Sequence, residues 1–306
     1  MIQDIFPHRF WNHFEPGEKP EKQDEVFWFD GRKVLVKEEK ETFRLPLAAE
    51  LGECVENGSL RLRWLFRMDE KDYAGAFAAD EKGSAGAVDV ESPLTLPTGF
   101  AFREMAELRY HHGLPKEWMF LLYTAYHLDG WYKDNRYCGR CRTEMKDSPK
   151  ERALVCPVCG KTVYPRINPA VIVAVVSGDE IVLTQYAGRN ISYNALVAGF
   201  TEIGETFEET VAREVMEEIG LKVKNIRYYK SQPWGMAADI LAGYFCEADG
   251  DKTIRMEENE LKKAEWTRRE DIVLQPDAFS LTNEMMTIFK EGRDPYSLER
   301  AFKSAE

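Results

Sequence analysis

Four cysteines place the strongest constraint on this chain. They fall as Cys138-Gly-Arg-Cys141 and Cys156-Pro-Val-Cys159, two C-x2-C pairs separated by fourteen residues, with glycine directly after Cys138 and after Cys159. Two residues between thiols allow a tight turn to aim both sulfurs at one ion, and the second pair completes a closed, tetrahedral four-sulfur shell for Zn2+. Such a shell folds a small module and performs no chemistry. A pair of disulfides would need an oxidising compartment. The amino-terminal stretch MIQDIFPHRF has no basic segment leading into a long apolar run and a small-residue cleavage site, so export is not expected and a cytoplasmic location is. Cys54 and Cys246 lack partners at comparable spacing and read as small buried side chains.

The 306 residues allow one large or two to three modest domains, and 44% hydrophobic residues supply a sizeable core. The apolar run Ala170 to Val176 is far short of the roughly 20 residues of a membrane span, so no membrane role is expected. A net charge of −12 disfavours sequence-blind binding to DNA, a mode driven by Lys and Arg displacing counterions. Locally the balance inverts: Arg136 to Arg166 carries a net +5. That segment either faces phosphates or merely keeps a small module soluble.

The chain divides around the cysteines into residues 1–130, 131–167 and 168–300. Residues 26–37 read as a hairpin turning at Asp30-Gly31. Gly75 to Gly86, rich in Ala and Gly, reads as a surface loop. Phe102 to Arg109 and Lys116 to Leu128 show helical spacing, with Leu114-Pro115 between them. The first domain is therefore α+β, its last helix leading into a zinc ribbon. His8, His13, His111, His112 and His127 have no ligand spacing and read as surface or structural residues. Downstream, residues 170–186 read as two strands joined across Ser177-Gly178-Asp179-Glu180, the first buried on both faces.

The segment from Gly199 to Leu221 carries the chemistry. Thr206 followed by Glu209 is a capping box, so a helix starts near Phe207. Val211, Val215 and Ile219 give it an apolar stripe, and Gly220 ends it after about three turns. Glu214, Glu217 and Glu218 then share one side at i, i+3 and i+4, where like charges repel. Arg213 is the only basic neighbour, so a divalent cation explains the cluster better than solvent does. Oxygen-only ligands suit Mg2+ or Mn2+. A three-glutamate helix face taken alone is more often surface than site.

The full pattern is more specific. Gly199, Glu205 and Arg213-Glu214-Val215-Met216-Glu217-Glu218-Ile219-Gly220-Leu221 resemble the Nudix box at every defined position. This family hydrolyses nucleoside diphosphates linked to another moiety, and the resemblance implies an α/β fold, a Nudix α/β/α sandwich with a mixed sheet. It assigns Glu214, Glu217 and Glu218 to metal, offers the Ala198 carbonyl as a further ligand, and makes Glu205 and Arg213 supporting residues of the catalytic set. A zinc ribbon before such a box and Ser231-Gln232-Pro233-Trp234 after it resemble the NADH pyrophosphatase branch, over about residues 131–292. That branch cleaves NAD(H) to nicotinamide mononucleotide and AMP, and some members remove NAD caps from RNA. The resemblance implies a dinucleotide substrate, capped RNA as a further partner, and a homodimer. Carried over by position, Tyr164 and Phe200 resemble aromatics that sandwich a base, Glu151 a substrate contact, and Glu260 a further metal-binding glutamate. Core packing is the plain alternative for Tyr164, Phe200 and Trp234.

One stretch departs from the branch. The usual proline, phenylalanine and polar ending is replaced by Gly235-Met236-Ala237-Ala238-Asp239, still aligned with the substrate-binding segment. Methionine stacks less well on a flat ring, so the nucleotide preference is less fixed than the phosphate chemistry. The expected reaction is attack of activated water on one phosphorus, with Glu218 the first choice of base and Glu260 the second. Other readings are hydrolysis of ADP-ribose or a dinucleoside polyphosphate, and a non-catalytic nucleotide sensor, although such sensors lose box carboxylates.

Overall fold

The computed structural model describes residues 1–40, 42–78, 96–110, 114–187, 193–293 and 295. Contacts gather into two units: Asp4–Arg166 with Gly235–Ala237, and Met1–Gln3 with Ile167–Trp234 and Ala238–Glu306. Among the described residues no helix is long and apolar enough to cross a membrane.

The first unit opens with β1 (Phe10–Trp11), β2 (Glu25–Asp30), β3 (Lys33–Glu39), β4 (Thr42–Arg44), α1 (Gly52–Glu56), β5 (Leu60–Met68), β6 (Lys71–Ala78), β7 (Ala101–Glu104), α2 (Met105–Arg109) and α3 (Lys116–Asp134). The strands form one sheet in the order β1-β5-β6-β2-β3-β4, with β7 beside β3. Val26, Trp28, Leu35, Ala74 and Ala76 build the core on one face with Leu51, Cys54 and Phe100. Aromatic contacts of Phe27 with Trp118 and of Phe29 with Tyr126 bring α3 onto other residues of β2.

Several expectations need correction here. The β2–β3 turn is centred on Gly31-Arg32, because Asp30 still pairs with Lys33; Gly31 takes the positive φ of 55°. Gly75 to Ala78 is strand, not loop. A Cβ on Gly75 would meet Phe77 and Leu65 at 3.0–3.2 Å, so small residues here make room for neighbouring side chains. Residues 79–86 of that expected loop lie outside the described residues, as do His111 and His112. Phe102 to Glu104 is strand paired with Lys33 to Leu35, which leaves only Met105–Arg109 helical. Helix α3 continues past Leu128 to Asp134, through buried Trp131 and Tyr132 and an Asp129–Lys133 ion pair of 3.0 Å. The expected division at 130/131 thus falls inside this helix.

The same unit contains the cysteine module, a three-stranded antiparallel sheet of β8 (Lys146–Asp147), β9 (Leu154–Val155) and β10 (Thr162–Val163).

The second unit comprises β11 (Asn168–Ser177), β12 (Glu180–Tyr186), β13 (Val197–Phe200), α4 (Phe207–Ile219), β14 (Val223–Trp234), β15 (Asp239–Ala248), β16 (Leu261–Arg268) and α5 (Leu281–Lys290). Its sheet runs β14-β15-β11-β12-β16, with β13 also on β11. Only β11 and β15 are parallel, so the sheet is mixed. Side chains of β11 alternate: Val171, Val173 and Val175 pack with Val211, Val215 and Ile219 of α4. Ile172 and Ala174 pack with Leu281, Met285 and Phe289 of α5. The unit is an α/β/α sandwich, and burial of both faces explains the unbroken apolar run in β11.

Candidate metal and pyrophosphate site

Helix α4 is fixed at both ends by its own sequence. The Glu209 N–H donates to Thr206 Oγ1 at 3.2 Å, and the Thr206 N–H donates to the Glu209 carboxylate at 2.7 Å. At the other end Gly220 adopts φ 68°. Backbone N–H groups of Arg255 and Glu257 then donate to the Ile219 and Glu218 carbonyls at 2.9 Å each. A Cβ on Gly220 would lie 2.9 Å from that of Arg255, so glycine serves both the left-handed cap and this close approach. The turn that follows, Glu257 to Leu261, carries Glu260 and is thereby tied to the end of the glutamate-bearing helix.

Arg213 organises the carboxylates. Its Nε and Nη2 donate to the two oxygens of Glu205 at 2.6 and 3.0 Å, and Nη1 donates to Glu214 at 2.8 Å and Glu217 at 2.9 Å. Nη2 also donates to the Phe200 carbonyl at 2.9 Å, so all five N–H donors are used. The arginine holds Glu205 at a pKa of about 2, helped by the Glu202 N–H and the Thr210 hydroxyl. Glu214 is pushed up by burial despite Arg213. Its carboxylate lies on the backbone of β13, where a Cβ at Gly199 would sit 1.9–2.3 Å from it.

Glu218 differs from its neighbours. It is 2% exposed and its Oε2 has no hydrogen-bond partner. Burial pushes its pKa up to about 8, with repulsion from Glu214 and Glu260 adding to this and the Ala198 N–H and Tyr186 opposing it. Glu217, by contrast, is 60% exposed. An open cavity of about 700 Å³ is lined by Arg213, Glu214, Glu217, Glu257, Asn259 and Glu260. Glu257 and Asn259 escaped the sequence reading; Asn259 donates to Glu257 at 2.6 Å and both belong to the turn that carries Glu260. Their one sequence signal is the acidic run EENE ahead of a strand.

An unpartnered buried carboxylate oxygen beside an oxygen-only, lysine-free set of carboxylates suits a hard divalent cation. The glutamates do not meet at a point, because Arg213 holds two of them. Among the described residues only the four cysteines bring three or more ligand atoms within 4.8 Å of one another.

Those cysteines fit zinc closely. Sγ of Cys138 and Cys159 are 3.6 Å apart and Sγ of Cys141 and Cys156 3.4 Å, near the roughly 3.8 Å edge of a tetrahedron with 2.3 Å Zn–S bonds. Each pair lies in a matching turn, closed by Arg142 N–H to the Cys138 carbonyl at 2.8 Å and Gly160 N–H to the Cys156 carbonyl at 3.0 Å. Positive φ falls on Arg142 (62°) and Gly160 (71°), so the glycine after Cys138 is not the one its turn requires. Backbone N–H groups pull the Cys138 and Cys156 thiols down, favouring the thiolates a metal binds.

The remaining expected residues are distributed between the units. Tyr164 is 56% exposed and its hydroxyl donates to Glu151 at 3.0 Å in the first unit. In the second, Phe200 is 54% exposed, and the Ala198 backbone pairs with Ile172. Pro233 and Trp234 end β14 opposite Ile240 and Asp239. Gln232 is fully buried: its amide donates to the Phe279 carbonyl and to Gln3, and its oxygen accepts the Leu281 N–H at the start of α5. Those partners are all protein groups. A Cβ on Gly235 would lie 2.0 Å from the Tyr123 carbonyl, so no side chain, proline included, fits where the branch pattern departs. Met236 is half-buried and Ala237 exposed, and Ala238 takes φ 60°. Asp239 is buried with Oδ1 unpartnered, and burial raises its pKa to about 6.

A carboxylate-bearing helix with an arginine at its centre, set on a mixed-sheet α/β/α sandwich, is the architecture of the Nudix class. Residues 166–287 match the NUDIX domain and residues 133–164 the NADH pyrophosphatase zinc ribbon domain, so the chain carries a Nudix domain preceded by that ribbon. It is 41% identical over 146 residues to the NAD-capped RNA hydrolase NudC of Escherichia coli in several strains, covering 48% of this chain and 56% of the relative. The chain spans about half the length of these curated relatives. Among solved structures, a NUDIX hydrolase from Nitrosomonas europaea aligns with 52% of this chain and 92% of its own, with a TM-score of 0.45 and 19% identity.

Gly199→Ala tests the packing of Glu214 on β13. The added methyl displaces that carboxylate, and hydrolysis is expected to fall about a hundredfold, the size of a 1 Å misplacement. Thermal unfolding reports a loss of only about 1–3 kcal/mol. A variant with native turnover would show that the position of Glu214 is unimportant.

Proposed function

We propose that this chain hydrolyses the pyrophosphate of NAD(H) to nicotinamide mononucleotide and AMP, and removes NAD caps from RNA, with Mg2+ or Mn2+. The observation that carries this reading is one chain holding both an NADH pyrophosphatase zinc ribbon and a complete carboxylate set on α4. The bound cation supplies charge withdrawal from the pyrophosphate and lowers the pKa of attacking water. Glu214, Glu217, Glu218 and Glu260, with the Ala198 carbonyl, would hold it. Arg213 keeps Glu214 and Glu217 from splaying, and Glu205 fixes Arg213 in turn. Glu218 receives the proton of the attacking water. Tyr164 and Phe200 each present an exposed ring for a base, and Glu151 makes a polar substrate contact. Residues 168–300 perform the chemistry, the zinc of residues 131–167 holds the ribbon, and residues 1–130 support it. A cytoplasmic homodimer completes the reading, and sedimentation tests the dimer.

A second reading, hydrolysis of ADP-ribose or a dinucleoside polyphosphate, is favoured by the altered Gly235 to Asp239 stretch. Ranking kcat/KM for NADH, NAD, ADP-ribose, diadenosine polyphosphates and NAD-capped RNA decides between them. NADH or capped RNA ranks first if the proposal holds, and a preference for ADP-ribose overturns it.

Metal uptake carries its own pH signature. Glu218, with its pKa raised to about 8, is protonated at neutral pH and must lose that proton to bind a cation. Mn2+ affinity should therefore rise about tenfold per pH unit between pH 6 and 8, with close to one proton released. Calorimetry in buffers of different ionisation enthalpy measures both, and a pH-independent affinity would remove Glu218 from the ligand set.

A further inference from the structure

The loop of the zinc ribbon that carries Glu151 is anchored by its neighbour, Arg152. Between β8 and β9 this loop is closed by Ser148 N–H to the Ala153 carbonyl and Ala153 N–H to the Glu151 carbonyl, both 2.8 Å, and by Lys150 N–H to Ser148 Oγ at 3.3 Å. Two adjacent side chains leave it for different partners. Glu151 accepts the Tyr164 hydroxyl within the ribbon. Arg152 reaches the sheet formed by residues 10–78: Nη2 donates to the Leu65 carbonyl at 2.5 Å and to Asn12 Oδ1 at 3.3 Å.

Leu65 is available for a structural reason. The β5–β6 register runs from Trp64–Ala74 to Phe66–Tyr73, so Leu65 is a bulge residue left out of the ladder. The guanidinium also lies 5.8 Å from the Phe14 ring and 5.7 Å from the Trp64 ring. Burial lowers the Arg152 pKa, and Nη1 is buried with no partner. No carboxylate among the described residues pairs with it. The half-buried guanidinium, which Tyr132 also contacts, thus spends its charge on neutral groups, a costly arrangement that points to a role. The cavity of about 230 Å³ beside it mixes Glu15, Glu18, Asp147 and Glu151 with Lys19, Arg63 and Arg152, so its lining is not that of a dedicated anion site. A second tie runs parallel, Arg63 Nε to Asp147 on β8 at 3.2 Å.

We propose that Arg152 is a positioning residue, which fastens the ribbon loop to the β5 bulge and so holds the Glu151–Tyr164 pair in the geometry that grips the nucleotide. The amino-terminal sheet then contributes to the reaction as the platform for that pair. This rests on the reading of Glu151 and Tyr164 as substrate contacts.

The test is steady-state hydrolysis of NADH by the full chain with Mn2+, after zinc content and melting have shown each variant folded. Arg152→Ala raises KM about tenfold, the scale of one charge-assisted hydrogen bond, with kcat within about twofold. Arg152→Lys recovers part of that rise, because it keeps the charge and loses the fork. Combining Arg152→Ala with Glu151→Gln gives no further rise over the larger single effect, as expected of groups acting as one unit. Asn12→Ala, which removes one acceptor and leaves the core intact, raises KM about twofold to threefold and serves if Arg152→Ala does not fold. If Glu151→Gln and Tyr164→Phe leave KM unchanged, the substrate-contact reading fails. If they raise it while a folded, zinc-loaded Arg152 or Asn12 variant does not, or if the effects of Arg152→Ala and Glu151→Gln simply add, the positioning role fails.

Discussion

Glu218→Gln lowers kcat for NADH hydrolysis at least about a hundredfold and leaves the fold intact, on the scale of a lost general base. The amide keeps the size of the side chain but brings no negative charge to a cation and cannot take a proton from water. It also fits the native surroundings well, because the native carboxyl is buried and its pKa is raised to about 8. That shift fixes the sign of a second readout. Between an ordinary carboxyl pKa of about 4.5 and about 8, the folded metal-free protein holds a proton that the unfolded chain releases. Native stability therefore falls as pH rises through that window, and the glutamine variant escapes the fall. Denaturant midpoints of the metal-free proteins should nearly agree at pH 5, with the variant higher at pH 8. Near-normal turnover would remove Glu218 from the chemistry.

Cys156→Ser is expected to abolish zinc binding and unfold the ribbon. Cys156 is buried, and its sulfur stands 3.4 Å from that of Cys141 in a shell with no spare ligand. Structural zinc binding contributes about 10–16 kcal/mol in small modules, more than the ribbon's short strands can replace. The zinc-to-protein ratio should drop from one to zero, and KM for NADH should rise because Glu151 and Tyr164 both sit on this module. A serine variant that melts as the native protein does would mean the module folds without metal.

How much of this was legible depends on how local each determinant is. Helix α4 was legible at both ends, because Thr206, Glu209 and Gly220 specify them locally. Strand β11 was legible because burial on both faces leaves an unbroken apolar run. The strand Ala101–Glu104 was not: its pattern passes for a helical turn, and what makes it a strand is pairing with β3 more than sixty residues earlier. Gly75 to Ala78 failed similarly, because Ala and Gly mimic a loop when the side chains packed over them are unknown. In the site, the carboxylate spacing was plain, whereas Glu257 and Asn259 enter through a turn held to the helix end by backbone bonds. Gln232 shows the converse, a motif residue whose polar atoms all serve the protein interior.

The most direct test is mass spectrometry of the products formed from NADH by the purified full chain with Mn2+. Reduced nicotinamide mononucleotide and AMP in equal amounts are the predicted pair, formed by the native protein and not by Glu218→Gln. Intact NADH, or release of the nicotinamide base with ADP-ribose, would contradict cleavage at the pyrophosphate.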